Sequence, residues 1–196
     1  MNIKRLVKAI LSLIYHPIVT TKLLFSGGKN IYIGPQMTIN KVKYLHVGNG
    51  FSIGRNSRFL FVEKYYGGEY SPGVTFGDNI SIGNRFSLLS GAHITIEDNC
   101  LIASDVLITS ENHGMDPDVA DSYAMTPLVC APVQLGKGCW IGEKAMIMPG
   151  VTLGDRCVVA AGAVVTNSFP EKCLVAGVPA RLIKRYNSQT KTWENV

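Results

Sequence analysis

Four histidines are the first residues to weigh for proton chemistry, because the unperturbed imidazole titrates close to neutral pH. His16 precedes a proline, His46 stands beside an aliphatic repeat residue, and His93 closes the phrase LLSGAH. His113 differs from these. It lies in an irregular polar run, SENHGMDPD from Ser110 to Asp118, with Glu111, Asp116 and Asp118 close in sequence. A neutral imidazole there can take a proton from a hydroxyl, while a carboxylate or backbone carbonyl fixes its tautomer. His113 is therefore the candidate general base. A three-histidine zinc site needs converging ligands, two of them close in sequence. His46, His93 and His113 offer no such pair, so no metal is expected.

Other reactive types give less. No serine or cysteine sits in a nucleophile motif such as GxSxG, which favours direct transfer over an acyl-enzyme. The five cysteines include no CxxC pair, and Cys100, Cys139 and Cys157 share one place in a repeat that takes small buried residues. Their odd number, without a secretory leader, points to a reducing cytoplasm. Gly142, Ala161 and Gly162 are either plain repeat corners or places where a thin ligand arm approaches the backbone. Arg181, Lys184 and Arg185 are either a solvated charge run or a seat for phosphates. Trp140, taken alone, reads as packing on an outer face.

The elements that must carry these residues come from a six-residue period. From Leu135 the chain reads LGKGCW, IGEKAM, IMPGVT, LGDRCV, VAAGAV, VTNSFP, with aliphatic openers at 135, 141, 147, 153, 159 and 165. Four residues after each opener come Cys139, Ala145, Val151, Cys157, Ala163 and Phe169. Units this short cannot bury their apolar side alone and must stack, so the fold expected is a hexapeptide-repeat β-helix. The same phrase starts upstream at Ile33, Ile39, Val47, Ile53, Phe76, Ile82, Leu88, Ile96 and Ile102, the step from Leu88 to Ile96 carrying two extra residues. Glycines, with Asn79, Asn84 and Asn99, are expected at corners needing positive φ. Residues 61–73 and 110–132 leave the register. Insertions in a solenoid gather on one face, often the binding face.

At 196 residues and 46% apolar, the chain can bury one core. A net charge of +5 without a basic stripe interleaved with aromatics argues against nucleic acid and suits a pyrophosphate-bearing small ligand. Three segments follow: a helical 1–30, a coil domain 31–185 with insertions at 61–73 and 110–132, and a C-terminal tail 186–196. In the first, Ile3, Leu6, Val7, Ile10, Leu11 and Ile14 recur at helical spacing, opposite Lys4, Arg5 and Lys8, up to Pro17. Residues 3–14 are too short to span a bilayer. Two readings stand: a helix packed on the coil end or another subunit, or one lying on the inner face of the cytoplasmic membrane. The long apolar openers are also expected to leave flat coil faces that bury against a neighbouring subunit.

Residues 33–185 resemble the hexapeptide-repeat acyltransferases of the xenobiotic, maltose and galactoside O-acetyltransferase group. The sugar O-acetyltransferases of bacterial capsule, lipopolysaccharide and colanic-acid clusters are nearest in layout. The most specific parts are ITSENHGMDPD and CWIGEKAMIMPGVTLGDRCVVAAGAVVTNSFPEKCLVAGVPARLIKRY. The resemblance implies an all-β, single-stranded, left-handed parallel β-helix, assembled as a homotrimer with acetyl-CoA in the cleft between subunits. Handedness comes from the resemblance, since parallel crossovers are otherwise right-handed. It also implies that His113 deprotonates the acceptor hydroxyl, and that Trp140 and Gly142 line the thioester and pantetheine cleft. By the same likeness Ala161 faces the pantetheine arm, Thr166 and Asn167 contact the cofactor further along, and Arg181 and Lys184 lie near its phosphates. The chain departs from the pattern at Asn167 (often Lys), Glu143 (Ser in some relatives), and at Leu89 or Ser90, where relatives acting on free sugars carry an acceptor-holding Asn. The expected activity is acetyl-CoA-dependent O-acetylation of a sugar in surface polysaccharide synthesis, in the cytoplasm. Acetylation of a nucleotide-linked amino sugar is the alternative.

Overall fold

The computed structural model describes residues 3–118 and 121–196, the side chains of Lys4 and Arg5 excepted. Each pass of the chain lays one short strand on each of three sheets, and the next pass stacks on it in parallel. Sheet I receives Tyr32–Ile33, Ser52–Ile53, Ser81–Ile82, Leu101–Ile102, Trp140–Ile141, Val158–Val159 and Cys173–Gly177. Sheet II receives Thr38–Ile39, Arg58–Phe61, Ser87–Ser90, Leu107–Thr109, Met146–Ile147 and Val164–Val165. Sheet III receives Leu45–Val47, Gly73–Phe76, His93–Ile96, Val133–Leu135 and Thr152–Leu153. The result is a three-sided parallel β-helix.

The period explains the core. Strands of two residues place one side chain inward and one outward, and the inward ones are the repeat openers. Leu135, Ile141, Ile147, Leu153, Val159 and Val165 are all buried, as are the small residues that follow them at Cys139, Ala145, Val151, Cys157 and Ala163. The openers therefore form the inner column and contribute nothing to outer faces, contrary to the expectation that they supply a surface for a neighbour. Cys100, Cys139, Cys157 and Cys173 stack at one level, and the first three thiols donate to the carbonyls of Gly136, Gly154 and Pro170. The hydrogen-bonded Cys100 thiol pushes Cys139 up, and burial pushes Cys157 up to about 11, so both remain protonated and unreactive.

Two corners repeat from turn to turn. Between sheets III and I, Asn79, Asn99, Gly138, Arg156 and Lys172 adopt positive φ, and each N–H donates to a carbonyl one turn back. Between sheets I and II, Asn56, Arg85, Asp105, Lys144 and Gly162 do the same. Asn84, expected at such a corner, leaves the positive φ to Arg85 and accepts a bond from the Arg55 N–H. The left-handed conformation costs a substituted residue about 1–2 kcal/mol, and the satisfied backbone ladder offsets this. Glycine is required where turns touch: a Cβ on Gly83 would lie 2.6 Å from the Ser104 nitrogen.

The third corner, between sheets II and III, breaks the regularity in the first four turns. It holds the 3₁₀ turn Val42–Tyr44, the hairpin of Lys64–Tyr65 and Gly68–Glu69, the bend at Gly91–Ala92, and the excursion 110–132. Both stretches that leave the repeat register therefore leave from one edge. Within the longer one, Glu111–His113 pairs antiparallel with Leu128–Cys130.

At the chain start, α1 (Ile3–Tyr15) and α2 (Pro17–Phe25) cover the first turn. The first helix stops before Pro17, as expected, and Pro17 redirects the chain into a second helix. The face of α1 that meets the coil is not its apolar one. Ser12 is fully buried and its hydroxyl accepts the Ile33 N–H at 2.8 Å, while Lys8 lies over the Tyr32 ring. The helix is packed on the end of the coil, as one of the two readings expected, and Ile3, Val7, Ile10 and Ile14 stay exposed on its other side. The expected placing of Lys4 and Arg5 on the polar side falls on side chains outside the description. At the other end, Ala180–Asn187 and Thr192–Asn195 extend sheet I in antiparallel fashion, so the tail 186–196 supplies the end of one strand, a turn and the sheet's last strand.

Candidate active site

His113 ends its strand on the irregular corner, exposed, with its backbone opposite Leu128. The neighbouring hairpin places Tyr65 against it, the two rings 5.4 Å apart and edge to face. The Tyr65 hydroxyl donates to the Ala124 carbonyl, and the Tyr70 hydroxyl accepts from the Leu128 N–H at 2.6 Å. Two insertions far apart in sequence thus brace one another around the imidazole. The hairpin is anchored in turn by Glu63, which accepts from Lys41, Lys43 and Tyr44 of the first turn. Lys41 above all, then Lys43 and Tyr44, hold the Glu63 carboxyl at about 2.

Of the carboxylates near His113 in sequence, none bonds to the ring among the described residues. Asp116 accepts from the Asp118 N–H and shapes the turn. Glu111 lies two residues before His113 on the same strand, and burial raises it above the usual carboxylate range. Below, Ser90 and Ser110 are fully buried and bond Gly73 and Ala92 across the turns. Ser90 is committed to stacking, and Leu89 is half-buried on the outer side of sheet II.

The remaining sequence-derived residues spread around the coil. Thr166 and Asn167 follow the last strand of sheet II, on the same edge as His113 and two turns on. Turn spacing is about 4.8 Å, so about 10 Å separates the two levels. Gly142 and Ala161 lie on the edge between sheets I and II. Gly142 is buried, and a Cβ on it would lie 2.5 Å from the Ala161 nitrogen, so the glycine is demanded by stacking. Ala161 is exposed. Trp140 projects from sheet I beside Arg156, Lys172, Tyr186 and Trp193, around a cleft of about 530 Å³. Lys184 pairs with Leu174 and Arg181 with Ala176 on that sheet. His113 and Trp140 accordingly sit on an edge and on the face opposite it, and one chain cannot bring them into one site.

The other histidines serve the coil. His16 Nε2 accepts the Met37 N–H at 3.2 Å. His93 lies over Gly73 with Nε2 3.1 Å from the Thr75 hydroxyl, held below the usual imidazole range by burial and, less, by His46. Tyr65, Tyr70 and the cleft residues Arg156, Lys172, Tyr186 and Trp193 were not singled out by sequence. Tyr65 and Tyr70 at least fall in the stretch 61–73, which the register break marks.

Comparison with known proteins adds three findings. Residues 132–167 match the family model described as bacterial transferase hexapeptide (six repeats). Among curated relatives, WbbJ of Escherichia coli, a candidate lipopolysaccharide biosynthesis O-acetyl transferase, is 39% identical over 62% of this chain and 65% of its own length. The chain thus spans just under two thirds of that relative. A candidate acetyltransferase of Saccharomyces cerevisiae is 33% identical over 69% of this chain and 68% of its own. Among solved structures, a variant of AntD, an N-acyltransferase from Bacillus cereus in complex with dTDP and Coenzyme A, superposes with a TM-score of 0.67 at 24% identity, covering 83% of this chain and 84% of that one. At that identity the likeness is one of fold.

Proposed function

Because the chain belongs to the hexapeptide-repeat acyltransferases, we propose that it moves an acetyl group from acetyl-CoA to a sugar hydroxyl, with His113 as general base. The observation that carries the reading is the placement of His113: an exposed imidazole held by two braced insertions on the one irregular edge. Acceptor oxygen attacks the thioester carbonyl as His113 takes its proton. The carbon–sulfur bond then breaks, and the thiolate leaves and is protonated as CoA. No side chain is acylated. The name carried by the 39% identical relative supports a hydroxyl acceptor in a bacterial surface glycan.

The opposed positions of His113 and Trp140 support a site built from two copies, as in a homotrimer of left-handed coils. In that arrangement Trp140, Ala161, Thr166, Asn167, Arg181 and Lys184 hold the donor, and Gly142 contributes through the stacking of its turn. The test is thiol release from acetyl-CoA against free sugars, dTDP- and UDP-linked amino sugars and polysaccharide repeat units, with His113→Ala alongside. Turnover on a hydroxyl acceptor that is lost in the variant supports the proposal, and full activity of His113→Ala removes it. The likeness to an N-acyltransferase holding dTDP favours a second reading, acylation of a nucleotide-linked amino sugar. Turnover confined to the amino-sugar arm selects it.

A further inference from the structure

The helical unit at the start of the chain carries a surface that the coil does not use. Ile3, Ile10 and Ile14 lie on the opposite side of α1 from the buried Ser12, about 180° around at 3.6 residues per turn. Ile3 is 77% and Ile14 66% exposed, and Ile18 and Phe25 of α2 reach 73% and 89%. The surface continues from one helix to the next, because Leu6, Leu13 and Leu24 line a common groove between them. Exposed large apolar side chains gathered this closely mark a contact surface in a folded protein.

Charge identifies what the surface meets. Residues 1–30 contain Lys4, Arg5, Lys8, Lys22 and Lys29 and no acidic residue. Beyond residue 30 there are 14 basic and 14 acidic residues, so the whole net charge of +5 resides in the helical unit. Lys22 is exposed within a turn of both Ile18 and Phe25. Self-association through this surface would set like charge against like charge. No helix among the described residues is long and apolar enough to cross a membrane, and α1 has 13 residues. We propose that α1 and α2 dock the protein on an anionic lipid surface, the exposed isoleucines and Phe25 entering the headgroup boundary while the lysines stay within a Debye length of the lipid charge.

The experiment is sedimentation of the full chain with vesicles of phosphatidylglycerol and phosphatidylethanolamine, and with vesicles of phosphatidylcholine, at about 0.1 M salt. Ile10→Asp with Ile14→Asp is measured beside it. Melting curves and light-scattering mass are taken without lipid. The expected result is binding to the anionic vesicles that weakens with salt, is about tenfold weaker on phosphatidylcholine, and falls at least about tenfold in the variant. Tm and mass stay unchanged. Equal binding to both lipids, no binding to the anionic vesicles, or a variant that binds like the parent overturns the proposal. A variant of lower mass overturns it too, and assigns the surface to a contact between copies.

Discussion

The edge between sheets II and III and the other two edges of the coil are made under different rules. At the regular edges a positive-φ residue recurs in successive turns, its N–H bonded one turn back, and a glycine lies where a Cβ would meet the next backbone. At the third edge that ladder is missing over the first four turns, and the chain inserts a 3₁₀ turn, a hairpin, a bend and the His113 excursion. The recurring corner therefore occupies two edges and leaves one free. Chemistry can vary where no recurring positive-φ corner fixes the path of the backbone.

Three substitutions break or sharpen this contrast. His113→Ala should lower kcat about 10²–10⁴-fold, with acetyl-CoA affinity by calorimetry and Tm both close to the parent, because the His113 ring is exposed and takes no part in the stacking of the turns. A matching loss of Tm would show that the excursion is structural. On a regular edge, Gly83→Ala should cost about 1–3 kcal/mol through the clash with Ser104, seen as a Tm lower by several degrees. Gly67→Ala on the hairpin has open space around it at φ +78 and should cost about 1 kcal/mol. Equal losses at the two glycines would erase the distinction.

Smaller effects test the bracing. Tyr65→Ala should reduce kcat about tenfold, removing both the ring packed on His113 and the bond to Ala124. Tyr65→Phe keeps the ring and should recover most of that rate. Phe behaving like Ala would put the effect in the hydroxyl. Last comes Glu63, whose folded pKa of about 2 lies below its ordinary 4.5. Its contribution to stability is complete above 4.5 and is lost as pH falls towards 2. The slope of Tm against pH in that window should flatten in Glu63→Gln.

The same contrast explains what could be read from the chain. The openers from Leu135 to Val165 are all core residues, since stacking repeats the same steric demand every six positions and the sequence must repeat with it. The register breaks likewise announce the irregular edge. Nothing periodic announces Tyr65, because its partners His113 and Ala124 lie 48 and 59 residues away. Gly142 shows the opposite difficulty: stacking alone demands a glycine there, so its identity carries no information about a ligand. The face that α1 turns to the coil was likewise not legible in the sequence. Amphipathic spacing normally marks a buried face, whereas here the buried side carries Ser12, which accepts the Ile33 N–H, and Lys8, which lies over Tyr32.

That serine also closes a strand edge. A coil ending on bare strand edges would offer its last turn as a template for the first turn of another molecule, and such ends join into fibres. Ile33 presents its N–H away from the second turn, and the Ser12 hydroxyl occupies it. With α1 and α2 laid over the first turn, a repeat that could continue without limit is closed at that end of the coil.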